Sequence, residues 1–284
     1  MLPILARFEL LGRPFVVGSY STFMVLAWVA ALAVGTWFAS RRGMPRRRVL
    51  AAYAVALAAG IVGARAFDLV TAGGFYAEDP ARVWGLTFQG FSLYGGFAMA
   101  AVTAIALARA WSLPVWRLAD SAVPALATGI VLMRVGCFLR GCCFGVETTL
   151  PWGVTFPAGS PAWSQQVLEG GTGILGLMGL MRPVHPTQLY EAGAAIVLCA
   201  GALLLMRAKS PDGVGFLIFA LAFTVFRTGN ASLRARLAII SVPDWFYVVF
   251  YGVVITVLLG LLTSRLLPRA APVHDPATTV RATG

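Results

Sequence analysis

Residues 121–139 read SAVPALATGIVLMRVGCFL, an apolar stretch in which the only charged residue is Arg134. A membrane-spanning helix needs about 20 largely apolar residues. The whole chain has the same character, because 59% of its 284 residues are apolar and only 12% are charged. A soluble domain carries roughly 25% charged residues and cannot remove so much apolar side chain from water. The composition therefore excludes a soluble enzyme and predicts an integral membrane protein.

Apolar stretches of this kind recur and predict the architecture. The predicted membrane spans are residues 18–39, 49–72, 91–110, 119–139, 186–206, 214–232 and 244–264. We therefore expect an all-α polytopic membrane protein with seven transmembrane helices, forming a single domain over residues 1–268. The connection at about 140–185 is expected to form a loop region outside the membrane. Within it, residues 170–181 are too few to span and are predicted to be interfacial or re-entrant.

The net charge of +11 follows the predicted topology. Eleven of the 22 basic residues fall in alternate loops, namely Arg41, Arg42, Arg46, Arg47, Arg48, Arg109, Arg117, Arg207, Lys209, Arg265 and Arg269. The positive-inside rule places these loops in the cytoplasm. The amino terminus and the 140–185 loop are then periplasmic, and the carboxyl terminus is cytoplasmic. Residues 269–284 are expected to form a disordered cytoplasmic tail. Because the charge is explained by topology, no nucleic-acid partner is expected.

Three arginines, Arg65, Arg134 and Arg227, are predicted to lie at membrane depth. Each costs roughly 2.5–3.5 kcal/mol at a helix centre, so such residues are candidates for function. Arg65 lies three positions from Asp68, and the two either neutralise each other or Arg65 has a functional role. Arg134 and Arg227 have no acidic residue three or four positions away. For these two we favour a functional role over an interhelical ion pair, because guanidinium groups bind the phosphate of a lipid headgroup bidentately.

Several short motifs surround these arginines. The densest is MRVGCFLRGCCFG at 133–145, and RPVHPTQLYEA follows at 182–192. In the second motif Gln188 and Glu191 fall three apart on one predicted helix face. The remaining motifs are GSYS at 18–21, GIVGARAFD at 60–68, FSLYGGF at 91–97 and FRTGNASLRAR at 226–236.

With these motifs in this order, the sequence resembles the prolipoprotein diacylglyceryl transferase family from about Tyr20 to Leu262. The resemblance implies seven membrane helices in the bacterial inner membrane. It also implies an activity: transfer of a diacylglyceryl group from phosphatidylglycerol to the lipobox cysteine of a prolipoprotein signal peptide, with release of glycerol phosphate. The implied protein is a monomer without a metal or organic cofactor.

The resemblance also implies roles for particular residues. Arg134 and Arg227 match the two arginines of the family that handle the lipid phosphate. Other residues of the substrate site match as well: Tyr20, Arg65, Gly95, Gly96, Gly145, Gln188 and Tyr190. Glu191 and His185 are candidate proton acceptors. Tyr94, Gly95 and Gly96 occupy the position of a histidine followed by two glycines in the family, so Tyr94 is expected to donate a hydrogen bond instead of acting as the base.

Departures from the family pattern leave other functions open. Besides Tyr94, the family asparagine is Cys137, an acidic residue is Cys142, and a glutamate four residues after Arg227 is Ala231. A thiol nucleophile is partly ionised near neutrality, so transfer does not require a strong base. The alternatives are a catalytically silent relative that binds phospholipid or prolipoprotein, and a thiol oxidoreductase using Cys137, Cys142 and Cys143.

The same cysteines also allow a labile disulfide or a soft-metal site. For them we favour simple packing between helices, because no histidine or second cysteine pair completes a ligand set in the sequence.

Overall fold

The computed structural model describes residues 2–10, 13–71, 76–77, 79, 93–168, 181–235 and 244–267. Within these residues two strands precede eight helices. In chain order the elements are β1 Ile4–Leu10, β2 Arg13–Gly18, α1 Ser19–Arg41, α2 Arg46–Thr71, α3 Leu93–Ala110, α4 Val115–Arg140, α5 Pro161–Leu168, α6 Thr187–Arg207, α7 Val214–Ser232 and α8 Asp244–Leu266.

The long helices lie at the predicted spans. Six of them, α1, α2, α4, α6, α7 and α8, are long and apolar enough to cross a membrane, whereas α3 has 18 residues. Large apolar side chains point outward on several helices, including Val62 (65% exposed), Val197 (69%) and Val248 (71%). Acyl chains of a bilayer would cover such a surface. The chain is thus a multi-pass membrane protein.

The amino-terminal hairpin was not predicted, so the all-α expectation is incomplete. Strands β1 and β2 pair antiparallel, with Phe8 opposite Phe15 and Leu10 opposite Arg13. The backbone N–H of Ser19 donates to the carbonyl of Pro3 at 3.0 Å, which fixes the hairpin to the start of α1. Arg7, Arg13 and Pro14 break up the apolar pattern here, which is why hydropathy alone gave no signal for it.

Two helix pairs form the base of the bundle. Helix α1 packs along α4, and α2 packs along α3. The α2–α3 crossing depends on glycines, because a Cβ on Gly63 would lie 2.6 Å from the carbonyl oxygen of Gly95. A Cβ on Gly60 would lie 3.1 Å from the carbonyl oxygen of Gly96. Small residues let the two backbones touch.

Helix α4 connects this base to the rest of the bundle. It packs against α6, which packs against α7, and α7 packs against α8. Helix α4 ends at Gly141, whose left-handed φ of 77° lets Gly141 and Cys142 both donate backbone N–H groups to the carbonyl of Cys137. This is a standard helix terminus.

The 140–185 region contains structure that hydropathy does not reveal. It includes α5 and short antiparallel bridges that join Glu147 and Val154 to Val184. Most of the predicted re-entrant run 170–181, and the predicted tail 269–284, lie outside the described residues.

Candidate active site

The carboxylate of Glu191 is the centre of a buried polar cluster. Glu191 lies in the second turn of α6 and is 1% exposed. Its Oε2 lies 2.5 Å from Nη2 of Arg134 on α4, and its Oε1 lies 2.6 Å from Nη1 of Arg227 on α7. Asn230, one turn after Arg227, donates to Oε1 from Nδ2 at 3.1 Å. Three helices thus contribute side chains to one point.

This arrangement corrects our expectation for the two arginines. Arg134 and Arg227 do form interhelical ion pairs, and both pair with the same carboxylate. The sequence does not indicate these ion pairs, because the shared carboxylate lies on a third helix. Glu191 and Gln188 do share a buried face of α6, as their spacing predicts.

The cluster contains more positive than negative charge. Nη1 of Arg234, in the segment after α7, lies 3.9 Å from Oε1 of Glu191. Among the residues that the structure describes, three guanidinium groups therefore face one carboxylate. Arg134 is almost fully buried, with 5% of its side chain exposed, and its Nε has no hydrogen-bond partner among the described residues. Buried charge without compensation is costly, so the site favours an additional anion.

A second polar group lies beside this cluster. Trp152 donates from Nε1 to the hydroxyl of Tyr190 at 2.8 Å, and that hydroxyl lies 3.2 Å from Nδ1 of His185. Because the Tyr190 oxygen accepts from Trp152, its own hydrogen can point to His185. Trp152 is thus a hydrogen-bond partner of Tyr190 and is linked to His185 only through the Tyr190 hydroxyl.

An open apolar groove lies on the surface of the bundle, and Tyr190 is one of its lining residues. It lies between α6 and α7 and has a volume of about 540 Å³. Its lining comprises Leu189, Tyr190, Gly193, Ala194, Val197, Leu198, Ala222 and Phe226. Tyr190 and Phe226 directly precede Glu191 and Arg227 in the chain, so the groove and the charged cluster lie at the same height along α6 and α7.

The chain matches the model of the family described as prolipoprotein diacylglyceryl transferase over residues 7–266. The chain belongs to this family. Membership confirms the resemblance inferred from the motifs and supports the transferase hypothesis over the silent and oxidoreductase alternatives.

Curated relatives of this transferase family agree with the match. A protein from Rhodopirellula baltica is 31% identical over 208 residues, covering 68% of this chain and 41% of the relative's length. One from Bifidobacterium adolescentis is 28% identical over 247 residues, covering 83% of this chain and 70% of the relative's length. One from Geobacter sulfurreducens is 29% identical over 214 residues, covering 73% and 74%. All three are named phosphatidylglycerol–prolipoprotein diacylglyceryl transferase.

The family's signature glycine, Gly145, joins two segments of the site. Its N–H donates to the carbonyl of His185 at 2.9 Å, and the next N–H, of Val146, donates to the carbonyl of Leu233 at 2.8 Å. A Cβ at position 145 would lie 2.6 Å from both the His185 Cβ and the Leu233 oxygen. Gly145 therefore lets the His185 segment approach the segment that contains Arg234.

The other residues carried over from the transferase family lie in two places. Tyr20 packs where α1 meets α4, near Gly136, and the guanidinium of Arg140 lies 5.3 Å from its ring centre. Arg65 donates from Nη1 to the Tyr76 hydroxyl at 3.1 Å, and that hydroxyl donates to Asp68. Tyr76 thus links Arg65 to Asp68, which agrees with the first of the two alternatives, neutralisation.

Gly95 and Gly96 have a packing role that the family pattern did not suggest, because their described contacts are with α2. The Glu191 cluster is built by α4, α6 and α7 with Arg234. The side chain of Tyr94 lies outside the described residues, so its role stays a prediction.

The three cysteines of the signature converge. The sulfur atoms of Cys137, Cys142 and Cys143 all lie within 4.8 Å of one another. Hydrogen bonds with the other two thiols, together with the charges of Arg234 and Arg134, lower the pKa of the Cys143 thiol well below its usual value. A Cys143 thiolate would neutralise one of the positive charges, and the arginine cluster would still carry a net positive charge.

Sequence reasoning missed Asn230, Arg234 and Trp152. Asn230 could have been found, because it lies three positions after Arg227 and so on the same helix face. Arg234 lies outside the predicted spans, and only the backbone path after α7 brings it to Glu191.

Proposed function

We propose that this chain transfers the diacylglyceryl group of phosphatidylglycerol to the lipobox cysteine thiol of a prolipoprotein at the periplasmic face of the bacterial inner membrane. The observation that carries the proposal is the convergence of Arg134 and Arg227 on one carboxylate, next to an apolar groove. The phosphate would bind the cationic cluster, and an acyl chain would occupy the groove between α6 and α7.

The arginines have a direct role in the proposed reaction. The thiol sulfur attacks the carbon of the diacylglyceryl group that carries the phosphate oxygen. A carbon–sulfur bond forms, and the bond from this carbon to the phosphate oxygen breaks. Glycerol phosphate leaves with the electron pair, so negative charge grows on its phosphate. Fixed cations in a water-poor site stabilise such charge strongly. The Nε of Arg134, which has no protein partner among the described residues, is placed to donate to a phosphate oxygen.

Glu191 acts in this scheme by positioning the two arginines. Two guanidinium groups already engage its oxygens, so it holds Arg134 and Arg227 at a fixed separation before substrate arrives. The thiol proton is then taken by His185, whose Nδ1 is oriented by Tyr190, or by the departing phosphate.

The same proposal includes the topology. With α3 as a seventh span, the amino terminus is outside and the carboxyl terminus cytoplasmic. The 18 residues of α3 extend about 27 Å at 1.5 Å per residue, close to the hydrocarbon thickness of about 30 Å. The basic loops after α1, α3, α6 and α8 then share the cytoplasmic side. This placement puts the Glu191 cluster at the periplasmic end.

The test uses the full chain in nanodiscs that contain phosphatidylglycerol and a lipobox peptide. We expect a thioether-linked diacylglyceryl peptide from the parent protein, detected by mass spectrometry. Arg134→Gln or Arg227→Gln should lower the rate by at least about 100-fold, the typical loss for a removed transition-state donor.

The matched control is Arg182→Gln. Arg182 pairs with Glu147 on the exposed surface, so this variant should keep the parental rate. A parent protein that binds the lipid and forms no product would indicate a silent relative. Parental rates in both arginine variants would refute the site.

A further inference from the structure

We propose that Cys137, Cys142 and Cys143 form a three-thiolate binding site for a soft monovalent metal ion, namely Cu(I). The inference does not depend on the transfer reaction. It rests on the convergence of the three cysteine sulfur atoms. From the sequence we had favoured simple packing between helices for these residues.

The sulfur–sulfur distances are compatible with one metal ion bound by all three cysteines. A metal about 2.3 Å from each of three sulfurs holds them about 4.0 Å apart in a trigonal plane. The three sulfurs already lie within 4.8 Å of one another, so binding requires side-chain shifts of less than about 1 Å.

The backbone holds the three thiols on one side of the chain. Cys137 lies in the last turn of α4, Gly141 reverses the chain at φ 77°, and Cys143 has a φ of 60°. A residue other than glycine rarely adopts a positive φ, and such strain is most common at functional sites.

Side chains from α6 hold this conformation. The carbonyl of Cys142 accepts a hydrogen bond from Nε2 of Gln188 at 2.7 Å, and that of Cys143 accepts one from Oγ1 of Thr187 at 2.8 Å. Both donor residues are buried. The thiols are therefore preorganised by contacts that do not involve sulfur, which is the usual support of a metal site.

The ligand set indicates which metal binds. Thiolates select soft ions such as Cu(I). Structural zinc prefers four ligands, and within the described residues this group contains no fourth Cys, His, Asp or Glu. Cys142 and Cys143 are partly exposed and Cys137 is buried, which gives an ion a route of entry.

The surrounding charge also favours a trithiolate. Three thiolates and one Cu(I) ion carry two negative charges. Arg134 lies one helical turn before Cys137, and Arg234 lies in the same cluster around Glu191. The three guanidinium groups and one carboxylate of that cluster carry two positive charges, which lower the cost of holding a negatively charged complex beside them.

The first test uses the reduced wild-type protein in nanodiscs under anaerobic conditions. We expect one Cu(I) ion per chain to be withdrawn from a chromophoric Cu(I) chelator. Bound Cu(I) should protect the three cysteines from alkylation while leaving Cys199, a lone cysteine on α6, as reactive as before. Mass spectrometry of the alkylated peptides reports each cysteine separately and requires no variant to fold.

The second test uses matched variants. Cys143→Ala should weaken Cu(I) binding by more than about 100-fold, since even the loss of an outer-shell partner costs 10–100-fold. Cys199→Ala should bind as the parent does. The proposal is overturned by unchanged alkylation in the presence of Cu(I), by stoichiometric Zn(II) binding without Cu(I) binding, or by a disulfide within the cluster that persists under reducing conditions.

Discussion

Two buried carboxylates, Asp120 and Glu191, show what distinguishes a structural charge from a candidate catalytic one. Each is 1% exposed. Asp120 accepts the backbone N–H groups of Gly213 and Phe216 at 2.8 and 2.9 Å, so it caps the start of α7 from a neighbouring helix. The guanidinium of Arg42 lies 3.5 Å away and neutralises it. Glu191 accepts no comparable backbone groups in the described contacts and instead holds guanidinium groups together.

The two carboxylates also differ in the balance of charge and the solvent exposure around them. Near Asp120, Arg42 and Arg117 also pair with Asp212, whose side chain is 34% exposed, so solvent screens this end of the bundle. Near Glu191 the cations outnumber the carboxylate and the pairs are buried. A balanced, hydrogen-bonded carboxylate stabilises a fold. A carboxylate outnumbered by buried cations prepares a site for an anion.

The most severe test of this comparison is Glu191→Gln. The substitution leaves the buried Arg134 and the partly buried Arg227 and Arg234 without their counter-ion, so we expect it to destabilise the protein by about 3–5 kcal/mol and to abolish transfer. Thermal unfolding in nanodiscs measures the first effect and the lipobox assay measures the second. Because the empty cationic cluster binds anions, phosphatidylglycerol should raise the unfolding temperature of this variant more than a zwitterionic lipid does. A variant with parental stability and activity would contradict the role of Glu191.

The substitution that matches Glu191→Gln at the opposite end of the helix bundle is Asp120→Asn. The amide keeps one acceptor oxygen but loses the charge and one acceptor, so we expect a loss of about 1–3 kcal/mol in stability. The transfer rate per folded molecule should not change, because Asp120 lies at the opposite end of α4 from Arg134. An Asp120→Asn protein that is fully folded and inactive would remove the distinction between the two carboxylates.

The smallest expected effect concerns Trp152→Phe. This change removes the 2.8 Å hydrogen bond to Tyr190 and should cost about 0.5–1.5 kcal/mol of stability. If Tyr190 orients His185, the transfer rate should also shift its pH dependence. Trp163→Phe, in α5, is the control for loss of an indole. Identical pH profiles for the parent and Trp152→Phe would exclude an orienting role for this hydrogen bond.

Sequence reasoning predicted the helices better than their contacts. Hydropathy depends on composition within one stretch, so the spans near α1, α2, α4, α6, α7 and α8 were recovered. The pairing of Arg134 and Arg227 with Glu191 depends on how three helices rotate against one another, which no single helix encodes. The family resemblance brought these residues into one hypothesis, but it did not indicate that they share a carboxylate.

The glycines illustrate the same limit. Gly95 and Gly96 were assigned to substrate binding by their place in a motif, whereas their contacts are with Gly63 and Gly60 of α2. A glycine that contacts a ligand and one that contacts a helix have the same appearance in a sequence. The amino-terminal hairpin escaped notice for a different reason, because its strands are short and interrupted by arginines and a proline.

Under the proposed function, the groove between α6 and α7 sets how this protein encounters its lipid. Leu189 and Val197 on its wall are 41% and 69% exposed, so the groove opens sideways to the hydrocarbon layer and not to water. A lipid then arrives by two-dimensional diffusion within its own leaflet. Reaction velocity should accordingly follow the mole fraction of phosphatidylglycerol in the bilayer, and diluting the vesicles at constant lipid composition should leave lipid saturation unchanged.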